Sequence, residues 1–78
     1  MHKVTIYTTP TCFYCKKTKE FFGANNVSYT ERDVTTDEVA RNEMITKTGQ
    51  LAVPVIDIDG KIVVGFDQAA LKSALEIV

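Results

Sequence analysis

Lys3-Val4-Thr5-Ile6-Tyr7-Thr8-Thr9-Pro10-Thr11-Cys12-Phe13-Tyr14-Cys15 is the stretch on which the fold turns. After the leading lysine, the run to Thr8 is β-branched or aromatic and reads as a strand. Thr9-Pro10-Thr11 breaks it, and helix-compatible residues continue from Cys12 to Phe22. Cys12 and Cys15 are the only cysteines of the chain. Two intervening positions let both sulfurs meet within one helical turn, so the pair can close into a small disulfide ring and reopen. At a strand-to-helix junction in a βαβ-like chain, this spacing reads as a redox pair.

Beyond this stretch, Gly23 is the expected left-handed stop of the first helix, because it carries no Cβ penalty there. Val27-Ser28-Tyr29-Thr30-Glu31 alternates as a half-buried strand does. Thr35-x-x-Glu38 reads as a capping box that opens a helix ending near Thr48, before Gly49. Val53 to Ile58 and Lys61 to Val64 flank Asp59-Gly60, the signal of a tight hairpin turn. Leu71, Ala74, Leu75 and Val78 follow at helical spacing, with Asp67 as N-cap.

The order is therefore β-α-β-α-β-β-α. A helix joins the first two strands, so they should be parallel with a right-handed crossover, and the last two should form an antiparallel hairpin. The expected α/β architecture is one four-stranded mixed sheet flanked by three helices. The first and last helices should cover one face and the middle helix the other. Residues 1–78 are expected to form a single domain.

An apolar fraction of 45% suffices for a compact globule and argues against disorder. A net charge of -1 offers no electrostatic case for nucleic acid, and no basic tract suggests a membrane surface. No segment approaches the roughly 20 apolar residues that span a bilayer. Val4-Thr5-Ile6-Tyr7 is far shorter than the apolar core of a secretory signal, so a cytoplasmic location is expected. A persistent structural disulfide would be unusual there. No repeat or linker interrupts the chain.

Thiol–disulfide exchange needs a thiolate, and a free cysteine with a pKa of about 8.5 is only a few per cent ionised at neutral pH. The unpartnered amides and positive dipole of a helix N-terminus stabilise an anion, and Cys12 occupies that position. Cys12 is thus the expected nucleophile, with a depressed pKa. Cys15, one turn deeper, suits the resolving role. Two other readings are weaker. Buried core cysteines are common, but position and spacing argue otherwise. A structural zinc needs four ligands, and His2 is the only histidine. Val53-Pro54 admits either a plain strand entry or a cis bond that turns the Val53 backbone toward a substrate chain.

Together these residues resemble a glutaredoxin within the thioredoxin superfamily. The likeness covers essentially the whole chain: Cys12-x-Tyr14-Cys15, Thr48-Gly49 before Val53-Pro54, and Gly65-Phe66-Asp67 opening the last helix. It implies the thioredoxin-like fold, with Pro54 as a cis-proline facing the cysteines. It also implies a dithiol oxidoreductase that reduces protein disulfides and glutathione mixed disulfides. Glutathione would be the reducing co-substrate, with no tightly bound cofactor and no metal. By the same likeness Tyr14 flanks glutathione, the Val53 backbone pairs with its cysteine, and Arg41 meets the glycyl carboxylate. Asp67 and the Phe66 and Asp67 amides lie at the γ-glutamyl end, where a helix N-terminus suits a carboxylate. Arg41 can equally be read as a solvated helix charge. The expected protein is a monomer.

The chain also departs from the family pattern. Phe13 replaces the usual proline between the cysteines, and Thr9 stands where many members carry a lysine. Leu51 and Ala52 replace the Arg-Thr or Thr-type residues before Val-Pro. Val64 and Gln68 interrupt the usual Gly-Gly and Asp-Asp pairs. Such changes bring the chain nearer to redoxins that serve ribonucleotide reductase and take electrons from thioredoxin reductase. That group's usual Trp-Ser before Gly-Phe is Val63-Val64 here. A non-catalytic carrier bridging an iron–sulfur cluster through Cys12 and glutathione is a further alternative, although Cys15 competes by forming a disulfide.

Among the remaining residues, Lys16, Lys17 and Lys19 read chiefly as a solvated helix face, the alternative being that Lys16 assists the Cys12 thiolate or steers an anionic partner. Phe21 and Phe22 should be core, while Phe13 should be exposed as an apolar contact for partner proteins. Tyr7 and Tyr29 read as strand residues.

Overall fold

The computed structural model describes residues 3–50 and 53–76. Seven elements follow in order: β1 (Val4–Thr8), α1 (Phe13–Ala24), β2 (Thr30–Asp33), α2 (Glu38–Thr48), β3 (Val55–Ile58), β4 (Lys61–Val64) and α3 (Gln68–Leu75). The strands form one sheet in the order β2-β1-β3-β4. β1 and β2 are parallel, and the β1–β3 and β3–β4 pairs are antiparallel. This is the mixed sheet and the element order that the sequence predicts.

The pleat divides the core in two. Val4, Ile6, Ile56, Ile58 and Val63 point to the face where Phe22 of α1 and Leu71, Ala74 and Leu75 of α3 pack. Tyr7 and Val55 point to the other face, against Ala40 and Met44 of α2. Side chains alternate with a period of two along a strand, so neighbours such as Ile6 and Tyr7 serve opposite layers. Phe22 is fully buried and Phe21 packs at the margin of its cluster.

Several element ends differ from the sequence reading. Gly23 is an ordinary helical residue within α1. The left-handed position falls on Asn26, at φ 56°. There Val27 N–H donates to Phe22 O at 2.9 Å and Asn26 N–H to Gly23 O at 3.4 Å. This paired closure satisfies the last carbonyls of the helix and brings an apolar residue back onto it. Val27 therefore packs on the core as part of the α1 closure, and β2 begins three residues later, at Thr30. Tyr29 likewise precedes the strand and sets its ring 5.2 Å from that of Phe22.

α2 is capped by Asp37, whose side chain accepts from Ala40 N–H at 3.0 Å. Thr35 is occupied elsewhere, its amide and hydroxyl both donating to Asp33 Oδ1. The capping box read at Thr35 is thus displaced by two residues. Gly49 closes α2 at φ 74°, and Asp67 caps α3 by accepting from Ala70 N–H, both as expected. Asp59 and Gly60 both carry positive φ, 53° and 91°, which makes the hairpin turn that matches the twist of its strands. β3 starts at Val55, two residues later than read, and the Val53-Pro54 bond preceding it is cis. Leu51, Ala52, Val78 and His2 lie outside the described residues. Among the described residues, no helix is long and apolar enough to cross a membrane.

Candidate active site

The parallel crossover from β1 to β2 starts at the C-terminal end of β1, and the cysteines lie in that turn. Thr9-Pro10-Thr11 bends the chain, Cys12 N–H donating back to Thr9 O at 3.3 Å. Cys12 is the N-cap of α1, extended at φ -80° and ψ 114°. A cap side chain normally accepts a bond from an amide of the first turn, and here the acceptor is sulfur. Cys15 N–H donates to Cys12 Sγ at 3.0 Å. The two cysteines are joined as a disulfide with their Cα atoms 5.2 Å apart.

Burial separates the two sulfurs' surroundings. Cys15 is 1% exposed, whereas Cys12 is only half-buried at the rim. The intervening residues face solvent, Phe13 at 62% and Tyr14 at 59% exposure, their rings edge to face at 5.3 Å. Lys17 Nζ lies 5.4 Å from the Phe13 ring centre. Phe13 is exposed as the sequence reading anticipates.

The β1–β3 register brings the second predicted segment to this end. Tyr7 lies opposite Val55, so continuing the antiparallel count places Pro54 across from Thr8 and Val53 across from Thr9. Pro54 O accepts from Gly65 N–H at 2.8 Å, which ties the end of β4 and the start of α3 to the same edge. Phe66 turns its ring into the core against Phe21, 6.2 Å between centres, while Asp67 stays exposed at the start of α3. The N-termini of α1 and α3 thus share one end of the sheet. Arg41 is exposed on α2 and, with Thr9, Val34, Thr35, Met44 and Val53, lines a cavity of about 360 Å³. Thr9 is common to this cavity and to a larger one around Cys12, so the Val53 groove and the disulfide adjoin.

The cavity around Cys12 holds four charged side chains, among them Lys16 and Lys19, which the sequence places on a solvated helix face. It is about 550 Å³ and is lined by Thr8 to Phe13 together with Lys16, Lys19, Glu31 and Asp33. Glu31 Oε2 accepts from Lys19 Nζ at 2.8 Å and from the Thr8 hydroxyl at 3.0 Å. The bond from Lys19, helped by that from Thr8, holds the Glu31 carboxyl below the usual carboxylate range against its own desolvation. No local pattern announces this cluster, because Thr8 and Glu31 meet through the pairing of β1 with β2, and Lys19 reaches them from α1. A polar cavity of about 530 Å³ on the α2 side contains Lys3, Tyr7, Arg32, Glu43, Lys47 and Asp57. The Lys47–Asp57 pair at 2.6 Å and the Arg32–Glu43 pair neutralise it from within.

Comparison with known proteins decides the family. The glutaredoxin family profile matches residues 4–63. The chain belongs to the glutaredoxin family. A glutaredoxin-like protein encoded in a rubredoxin operon of Clostridium pasteurianum is 44% identical over 73 residues, 94% of this chain and 97% of that protein. Glutaredoxin 3 of Escherichia coli K12 is 37% identical over 67 residues, covering 86% of this chain and 81% of its own. A mutant of the thioredoxin-like protein BC3987 superposes with a TM-score of 0.92 at 38% identity over the full length of both chains. The glutaredoxin from Archaeoglobus fulgidus superposes at 0.84 with 26% identity, over 96% of this chain and 87% of that one. A glutaredoxin with a Cys12-x-x-Cys15 pair is a thiol–disulfide oxidoreductase of thioredoxin-like fold, and the family generally uses glutathione as reductant. Among the described residues of this glutaredoxin, no group of three or more His, Cys, Asp and Glu side chains could hold a metal ion.

Proposed function

We propose that Cys12 and Cys15 reduce protein disulfides and glutathione mixed disulfides in a cycle recharged by glutathione. The bond from Cys15 N–H to Cys12 Sγ, at a helix N-cap, carries this reading. A donor that reaches sulfur in the oxidised protein can stabilise the same sulfur as a thiolate when the disulfide opens. Cys12 Sγ attacks one sulfur of the target disulfide, a Cys12–target bond forms, and the other target sulfur leaves as a thiolate that takes up a proton. Cys15 then loses its proton and attacks Cys12 Sγ, releasing the second target thiol and re-forming the Cys12–Cys15 disulfide. Two electrons pass to the target in each cycle, and two glutathione thiols restore them by the same exchange.

Burial fits this division of labour, since the resolving sulfur need never meet bulk solvent. In this reading the Val53 backbone beside Pro54 pairs with the extended chain of the bound thiol, and Tyr14 forms one wall of its groove. Arg41 meets a carboxylate at one end of that chain. The Phe66 and Asp67 amides and the Asp67 carboxylate receive the other end at the α3 N-terminus. The protein would work as a cytoplasmic monomer, residues 1–78 acting as one domain.

One observation favours a second donor. Among the described residues lining the Val53 cavity, Arg41 is the only charged one, a sparse set for a tripeptide with two carboxylates. A redoxin that serves ribonucleotide reductase and is reduced by thioredoxin reductase needs no such set. Turnover of a glutathionylated peptide should therefore be compared when coupled to glutathione reductase with glutathione and when coupled to thioredoxin reductase. Turnover in the first supports the proposal, and turnover confined to the second replaces glutathione by thioredoxin reductase.

A further inference from the structure

The Lys19–Glu31 pair is too exposed to matter much for stability, its side chains being 32% and 42% accessible. Its placement is less ordinary. The same carboxylate oxygen is bonded by Thr8, which is 2% exposed at the end of β1, so Glu31 is anchored from the sheet and from α1 at once. Both charges line the cavity that contains Cys12. The other charges there are Lys16 on α1 and Asp33 on β2, whose Oδ1 is engaged by Thr35. Arg41 of α2 stands in the adjoining cavity, beyond Thr9, and Lys17 lies over the outer Phe13 ring.

A cation near a thiolate lowers the pKa of the thiol, and an anion raises it. Lys19 follows Cys12 by two helical turns, about 10 Å. At that range two unit charges in a partly hydrated cleft interact by enough to move a pKa by about half a pH unit. Paired, Lys19 and Glu31 nearly cancel.

We propose that Lys19 and Glu31, seated on Thr8, are a positioning pair of mutually compensating charges beside Cys12, which keeps its ionisation balanced for as long as both partners are present. Removing either partner uncovers the other, so the two losses act in opposite directions. The inference rests on Cys12 being the attacking thiol.

The test is the thiolate ultraviolet titration of Cys12 in reduced Cys15→Ser protein, alone and combined with Glu31→Gln, Lys19→Met, both changes, or Lys19→Arg. Glu31→Gln should lower the Cys12 pKa by about half a pH unit and Lys19→Met should raise it by a similar amount. The double variant and Lys19→Arg should stay near the reference. Salt of about 1 M, where the screening length is about 3 Å, should shrink both shifts. In the dithiol protein, the reduction potential against glutathione buffers should rise with Glu31→Gln and fall with Lys19→Met. Shifts of one sign in both variants, or no shift in either, overturn the proposal and leave the pair as a brace between β2 and α1. A reference Cys12 titrating at the ordinary thiol value would instead defeat the nucleophile assignment, a result separate from the difference between variants.

Discussion

At the scale of single residues, the two cysteines differ in what surrounds them. Cys12 Sγ receives an amide bond at the mouth of the helix, while Cys15 is enclosed by the protein. Cys12→Ser should therefore abolish thiol transfer, because the remaining sulfur is shielded from a target disulfide. Cys15→Ser should leave the attack intact and the resolution lost, so that mixed disulfides at Cys12 accumulate and can be weighed by intact-protein mass spectrometry. With the reduced wild type at about pH 6, iodoacetamide should modify Cys12 first, since only a thiolate of depressed pKa reacts there. Labelling that began at Cys15 would reverse the roles. Both proposed roles can be read from the residue order alone, because helix polarity puts the first cysteine of the pair at the positive end.

At the scale of elements, Gly23 inside α1 and Gly49 at the end of α2 lead to opposite expectations for glycine substitutions. Gly23 is helical, and a Cβ built on it would meet nothing within 4 Å. Gly23→Ala should stabilise the protein by about 0.5–1 kcal/mol, the usual penalty of glycine inside a helix. Gly49 also has open space around it but holds φ at +74°. Gly49→Ala should cost about 1–2 kcal/mol from backbone conformation alone. Urea unfolding midpoints that moved in the same direction for the two variants would contradict the observed helix ends. The misreading at Gly23 has a physical source. The observed stop, Asn26, lies three residues beyond Gly23, where Val27 finds the core beside Phe22.

At the scale of the whole molecule, three carboxylates link the fold to acid, Glu31 the more weakly for the exposure of its ion pair. Glu31 is held below its ordinary pKa by Lys19, Asp33 by the Thr35 hydroxyl and amide, and Asp37 by the Ala40 amide. In each, the folded state binds its proton less readily than the unfolded chain does. Their contribution is therefore fully present above the unfolded carboxylate pKa values and is lost as pH falls through the lower, folded ones. The thermal midpoint should hold level from neutrality down to about pH 5 and decline below it. Asp37→Asn should make that decline shallower, since asparagine caps a helix about as well as aspartate without titrating in this range. A midpoint indifferent to acid, or a decline unchanged in Asp37→Asn, would mean that these contacts do not persist in solution.

The chain by itself determined the β-α-β-α-β-β-α order, the Asp59-Gly60 hairpin, the Gly49 stop, the Asp67 cap and the strand-to-helix seat of Cys12. Each depends on a few neighbouring residues whose backbone preferences or spacing admit one outcome. Three-dimensional packing fixes where β2 begins and that Lys19 meets Glu31 beside Cys12, and the folded chain also shows Asp37 rather than Thr35 capping α2 and a cis Val53-Pro54 bond. β2 is an edge strand in contact with the sheet on one side, and its Thr-Glu-Arg-Asp sequence carries little apolar alternation, so its place follows from pairing with β1. The start of β2 and the Lys19–Glu31 contact depend on residues distant in sequence, which no local pattern encodes, whereas the shifted cap turns on a competition between neighbours that propensity alone does not rank.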